Sequence, residues 1–193
     1  MCAGVSDWLH ARTNGWIALM GVLAFLLFAA LVLPGQSAQV KTYSGDAGSP
    51  DMSFVYSPGD LYDMAEAYGE EGRRAYVRAR FTFDLAFPLV FTFFLATAIT
   101  WLCGRAFKPG SRWRRANLVP LLGGLFDYLE NLSASLVVAR YPARTAVVDW
   151  LVPAFTLLKW IFVGCSFLAL LAGVVLALRK WLRRGGEGRA GAP

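Results

Sequence analysis

The long apolar runs limit this chain more than any other feature. Trp16 to Leu33 contains no charged residue, and at about 1.5 Å per helical residue it can cross a hydrocarbon core of roughly 30 Å. Three further stretches are also long enough: about Phe83 to Cys103, Asn117 to Val138, and Trp150 to Leu178. In lipid each must satisfy its own backbone hydrogen bonds, which a single segment achieves only as a helix. The last stretch exceeds what a perpendicular crossing needs, so it should tilt or emerge from the lipid.

Composition agrees. Of the 193 residues, 56% are hydrophobic, against roughly 45–50% in soluble domains. Charged residues make up 17%, below the usual ~25%. One small core cannot hide that much apolar surface, which excludes a soluble domain, and the same apolar content excludes a disordered chain. The sequence predicts an all-α, polytopic membrane protein: one domain over residues 1–193, built as a four-transmembrane-helix bundle with an extracytoplasmic amphipathic helix. A cleaved signal peptide is the rival reading of the first stretch, because Gly35-Gln36-Ser37 has small residues. The length of the run favours a retained anchor.

Charge sets the orientation. Arg105, Lys108, Arg112, Arg114 and Arg115 lie between the second and third stretches with no acid among them. The tail, residues 179–193, carries Arg179, Lys180, Arg183, Arg184 and Arg189 against Glu187. Both segments should be cytoplasmic, and with them both termini, in the cell or inner membrane. The net charge of +6 and the pI near 9.5 are then a topological signal, and no nucleic-acid partner is expected. Membrane lipids are the expected neighbours, with the basic tail able to touch anionic headgroups.

The connection over residues 35–80 should face outward. Gly35 to Pro50 is rich in Gly, Ser and Ala and resembles a flexible connector. From Ser57 the pattern is helical: Ser57 as N-cap, Pro58 at the first position, Asp60 at the third. Leu61, Met64, Ala65, Tyr68, Ala75, Tyr76 and Ala79 then share an apolar face. Acids precede arginines along this helix, as the helix dipole favours, and Glu70 and Arg74 are spaced to pair. It should lie on the membrane surface or over the bundle. Asn117 and Asp149 are expected to N-cap the third and fourth stretches, and Pro88 to kink the second.

Motif chemistry is sparse. The single histidine, His10, precedes the first stretch, and no cysteines have ligand spacing, so no metal site is predicted. Cys2, Cys103 and Cys165 all lie outside the external loop, so no structural disulfide is expected. Phosphate loops, nucleophile elbows, haem attachment motifs and repeats are lacking, and no cofactor is expected.

What remains is charge inside the lipid, where each central Asp or Lys disfavours insertion by ~2.5–3.5 kcal/mol. Gly123, Asp127, Asn131 and Ser135 form one ridge of the third stretch, with Glu130 beside it. Thr156, Lys159 and Ser166 form a stripe on the fourth, and Lys159 falls at the depth of Asp127. Asp84 starts a ridge on the second stretch, nearer the outer surface. The purely structural reading is an ion pair joining the third and fourth stretches. Against it, two central acids face one lysine. The favoured function is therefore non-enzymatic: binding or passing a small amphipathic molecule, lipid or cation at Asp127, Glu130, Asn131 and Lys159, with Asp84 nearby. One rival is an intramembrane enzyme acting on a lipid, with Asp127 or Glu130 as acid/base tuned by Lys159. Another is an accessory subunit, or a homo-oligomer, whose polar helix face pairs with a larger membrane complex. In topology alone the layout resembles the emopamil-binding-protein and sterol-isomerase group; no motif aligns, and no residue role is carried over.

Overall fold

A computed structural model describes the backbone of residues 2–190, and the side chains of that range except residues 2, 3, 46 and 184–190. Every regular element among the described residues is a helix. The α-helices are α1 (Cys2–Arg12), α2 (Gly15–Leu31), α3 (Leu33–Ser44), α4 (Pro58–Ala67), α5 (Gly69–Arg80), α6 (Phe83–Ala106), α7 (Val119–Arg140) and α8 (Val148–Ala190). Short 3-10 turns occupy Gly45–Ala47, Pro50–Met52 and Arg112–Leu118.

Three continuous helical stretches are long and apolar enough to cross a membrane: Gly69–Ala106, Arg112–Arg140 and Val148–Arg183. A fourth exists if Gly4–Arg12 and Gly15–Leu31, bent by 93°, form one broken crossing. This is consistent with a helical membrane bundle. Leu27, Leu31, Leu168 and Leu171 are at least 60% exposed, and a surface that apolar is stable only where lipid covers it.

The bundle closes where small residues let helices meet. A Cβ at Gly124 would stand 2.5 Å from the Thr92 hydroxyl, so α7 and α6 touch there. One at Gly21 would stand 2.7 Å from Thr97 Oγ1, joining α2 to α6. Gly173 meets Leu102 in the same way, in keeping with the rule that small residues allow close packing of membrane helices. At four-residue spacing before Gly173 on α8, Ala169 packs against the Leu95–Ile99–Cys103 layer, whereas Cys165 is exposed. α6 continues unbroken through Pro88.

Helices α4 and α5 lie over the ends of α7 and α8. Leu61, Tyr62, Ala65, Tyr68 and Tyr76 are buried against Ala134, Val137, Val138 and Val152, while Glu66 and Glu70 face outward. The Ser57–Asp60 capping box starts α4 as its sequence dictates. The amphipathic helix is two helices, because Gly69 adopts φ +63° between them, a conformation that favours glycine.

Three expectations are corrected. Residues 35–50 are not a flexible connector: α3 carries helix to Ser44, and Tyr43 packs on Tyr68 and Tyr76. Asn117 does not cap α7, which follows Leu118 without a side-chain cap. Its amide instead ties α1 to the turn before α7 and to the C-terminal part of α6, with Asn117 Oδ1 accepting from Ser6 Oγ at 2.9 Å and Nδ2 donating to Thr100 Oγ1 at 3.2 Å. Asp149 sits inside the first turn of α8, not before it, and accepts from the Tyr62 hydroxyl at 3.4 Å. In both cases a tertiary partner outcompetes a local cap. In the basic tail, the side chains of Arg184 and Arg189 lie outside the described residues.

Candidate functional site

Lys159 projects from the first third of α8 onto α7, where its Nζ lies 2.6 Å from Glu130 Oε2. Both side chains are nearly sealed from solvent, at 8% and 1% exposure. The same ammonium lies 3.6 Å from Asp51 Oδ1. Asp51 comes from the 3-10 turn Pro50–Met52 and also pairs with the Arg80 guanidinium. Arg80, only 3% exposed, is the last residue of α5. One turn further along nearly the same axis, Asp84 Oδ2 accepts from Arg80 Nη1 at 2.8 Å.

Polar side chains complete the cluster. Arg80 Nη1 donates to Asn131 Oδ1 at 3.1 Å, and Asn131 Nδ2 donates to Asp127 Oδ1 at 3.2 Å. The Arg80 guanidinium lies over the Tyr76 ring at 4.5 Å, where the ring's π face favours a cation. Tyr56 and Thr156 hydroxyls share a hydrogen bond of 2.8 Å on the α8 side. Glu130 Oε1 and Arg80 Nε are buried without a hydrogen-bond partner among the described residues. Among the described residues, the carboxyls of Asp51, Asp84 and Glu130 meet two cations, Arg80 and Lys159, while Asp127 accepts from the Asn131 amide.

Burial alone would push the Asp51 carboxyl up. The facing Arg80 guanidinium and Lys159 ammonium outweigh it and hold the pKa below the ordinary 3.8. Burial raises the Tyr56 phenol, which therefore stays neutral and can donate.

Residues 49–56 form a strap over α8. Asp51 anchors it from within, Tyr56 ties it to Thr156, and Phe54 rests on Trp160 with ring centroids 4.9 Å apart. A groove of about 210 Å3 lies between α6 and α7, lined by Phe81, Leu85, Tyr128 and Leu132 together with Arg80 and Asn131. Tyr128 donates to the Leu85 carbonyl at 2.7 Å and fixes one wall. Below the cluster, Leu95, Ile99 and Cys103 form an apolar layer before the Asn117 lock.

The structure brings Asp127, Glu130, Asn131, Lys159 and Asp84 into one cluster. Sequence reasoning missed Arg80 and Asp51. Arg80 stands four residues before Asp84, a spacing that places both on one helix face. It looked solvated because the external helix and the second stretch read as separate elements. Asp51 had no signal at all, since a lone acid in a Gly/Ser-rich loop has no periodicity. Comparison of the chain with family models, curated proteins and solved structures gives no match.

Proposed function

We propose that this chain crosses the cell or inner membrane four times, with α1–α2 as a bent first crossing. Both termini and residues 105–115 face the cytoplasm and α3–α5 cover the outer end. In this reading the protein binds a small amphipathic cation, an amine with an apolar tail, at the charged cluster. The observation that carries the reading is the carboxyl surplus. One buried carboxyl, Glu130, and three partly buried ones, Asp51, Asp84 and Asp127, share two cations, so the surplus must hold protons, keep water or meet a further cation, because uncompensated charge in low dielectric is too costly.

The surroundings favour an amphipathic ligand. The groove between α6 and α7 opens on the apolar flank of the bundle, suits a hydrocarbon tail, and reaches the Asp127–Asn131–Arg80 chain. The strap covers the α8 side. The Leu95–Ile99 layer favours binding over passage, since an ion crossing it would leave the carboxyls that compensate its charge. The polar face of α7 is occupied within this chain, so a subunit role has less to recommend it.

Binding of a long-chain alkylamine and of the equally long alcohol to the protein in nanodiscs tests the reading. The amine should bind at least roughly tenfold more tightly, a difference of about 1.4 kcal/mol. Asp127→Asn and Asp84→Asn should abolish that preference while the protein stays folded. Equal binding of amine and alcohol would reject it. A second reading rests on Glu130 Oε1, a buried acid oxygen without a hydrogen-bond partner beside Lys159: general acid/base chemistry on a lipid. Turnover lost in Glu130→Gln with unchanged amine binding would favour it.

A further inference from the structure

A second polar feature lies away from the charged cluster, where α5 crosses the C-terminal end of α7. The cleft between them has a volume of about 640 Å3. Arg73, Arg74 and Arg78 stand along its α5 wall, and Glu70 is the one acid among the residues that line it. Val138 and Tyr141 form the opposite wall, at the end of the apolar stretch Arg112–Arg140. In the proposed topology that position is where a hydrocarbon core gives way to headgroups, a depth at which tyrosine is enriched and arginine anchors.

The arginines are prepared for an anion to different degrees. Arg73 Nη1 donates to the Ala65 carbonyl at 2.9 Å, and its guanidinium stacks over Tyr141 at 4.7 Å. It is thereby held in place while other N–H groups stay free. Arg74 is paired with Glu70 at 2.5 Å on the exposed face. Arg78 has no carboxylate partner among the described residues. Two guanidiniums therefore lack a carboxylate, on a segment where excess positive charge runs against the orientation preference of membrane proteins. Planar, forked guanidinium donors match phosphate oxygens better than any other side chain.

We propose that this cleft binds the phosphate of an anionic membrane phospholipid. Arg73 and Arg78 hold the phosphate oxygens, and Val77 and Val138 face the first carbons of the lipid. The site is separate from the carboxyl-rich cluster and has the opposite charge, so the two would select different molecules.

The test is native mass spectrometry from mild detergent, with phosphatidylglycerol and phosphatidylcholine added in equal amounts. Phosphatidylglycerol should be retained roughly tenfold better by the unaltered protein. Arg78→Gln removes an exposed side chain and should keep the melting temperature while lowering that preference about threefold or more. Glu70→Gln should raise retention, because it frees Arg74 and removes the competing acid. Soluble glycerol phosphate in excess should not displace the lipid. Equal retention of the two lipids, or the same preference in all three proteins, would overturn the proposal. Displacement by glycerol phosphate would overturn the lipid as the source of the phosphate.

Discussion

Lys159 shows how a single charge in lipid organises its neighbours. Its ammonium lies 2.6 Å from Glu130 and 3.6 Å from Asp51; Asp51 keeps Arg80 as a partner, so removing the lysine leaves the Glu130 carboxyl buried without compensation. Lys159→Met should destabilise the protein by about 3–5 kcal/mol, the usual cost of breaking a buried pair. Adding Glu130→Gln should recover much of that loss, because the desolvation cost of the partner goes too. Asp127→Asn, whose carboxyl is held by Asn131 and not by the lysine, should not rescue Lys159→Met to the same degree. Thermal unfolding of the single and double variants decides, and strict additivity for Lys159 with Glu130 would refute the pairing. Asp51 gives a pH test of the same cluster. Its pKa is lowered by folding, so its contribution is full above the unfolded value and lost as pH falls through the folded one. Melting temperature should hold above about pH 5 and fall below about pH 4, and Asp51→Asn should flatten part of that fall. An unchanged acid limb in Asp51→Asn would show that another group causes it.

Helix contacts depend on positions where a side chain is missing. Gly124 on α7 is the tightest, since a Cβ there would stand 2.5 Å from Thr92 Oγ1. Gly124→Ala should cost about 1–3 kcal/mol, the range for overpacking a filled interior. Thr92→Ala should relieve much of that cost in the double variant, while Thr92→Ser, which keeps the hydroxyl, should not. Equal effects of the two Thr92 variants would mean that the hydroxyl is not what α7 meets. The outer helices follow another logic. Leu61, Tyr62 and Ala65 of α4 are buried because the ends of α7 and α8 present Ala134, Val137 and Val152 to them. The four-residue periodicity of α4 was legible in the sequence, but its destination was not.

The whole chain makes an asymmetric object. One end is closed by the α3–α5 cover and the strap, and the other by α1 and the Arg112–Leu118 turn, joined through Ser6, Asn117 and Thr100. In the proposed topology the second end faces the cytoplasm. In a cysteine-free background, Glu66→Cys should react with an impermeant thiol reagent in intact cells, and Lys108→Cys only after permeabilisation. Both positions are exposed, so protection reports the membrane and not packing. The reverse pattern would invert the topology.

Periodicity and run length were enough to determine an all-helical chain and its long apolar stretches, but not α1, the helical course of α3 or the break at Gly69. They also placed Lys159 at the depth of the α7 acids, because rise per residue turns sequence position into depth. Tertiary structure alone decided which acid takes the lysine. Glu130 and Asp127 are three residues apart on neighbouring ridges, and only the rotation of α7 against α8 aims one of them at Nζ. It also decided that Arg80 is buried and not solvated, and that Asp51 enters the cluster from a loop. Local sequence records the propensity of a segment and the sidedness of its surface. A contact between residues distant in the chain depends on how the helices are turned and brought together, which no local pattern encodes.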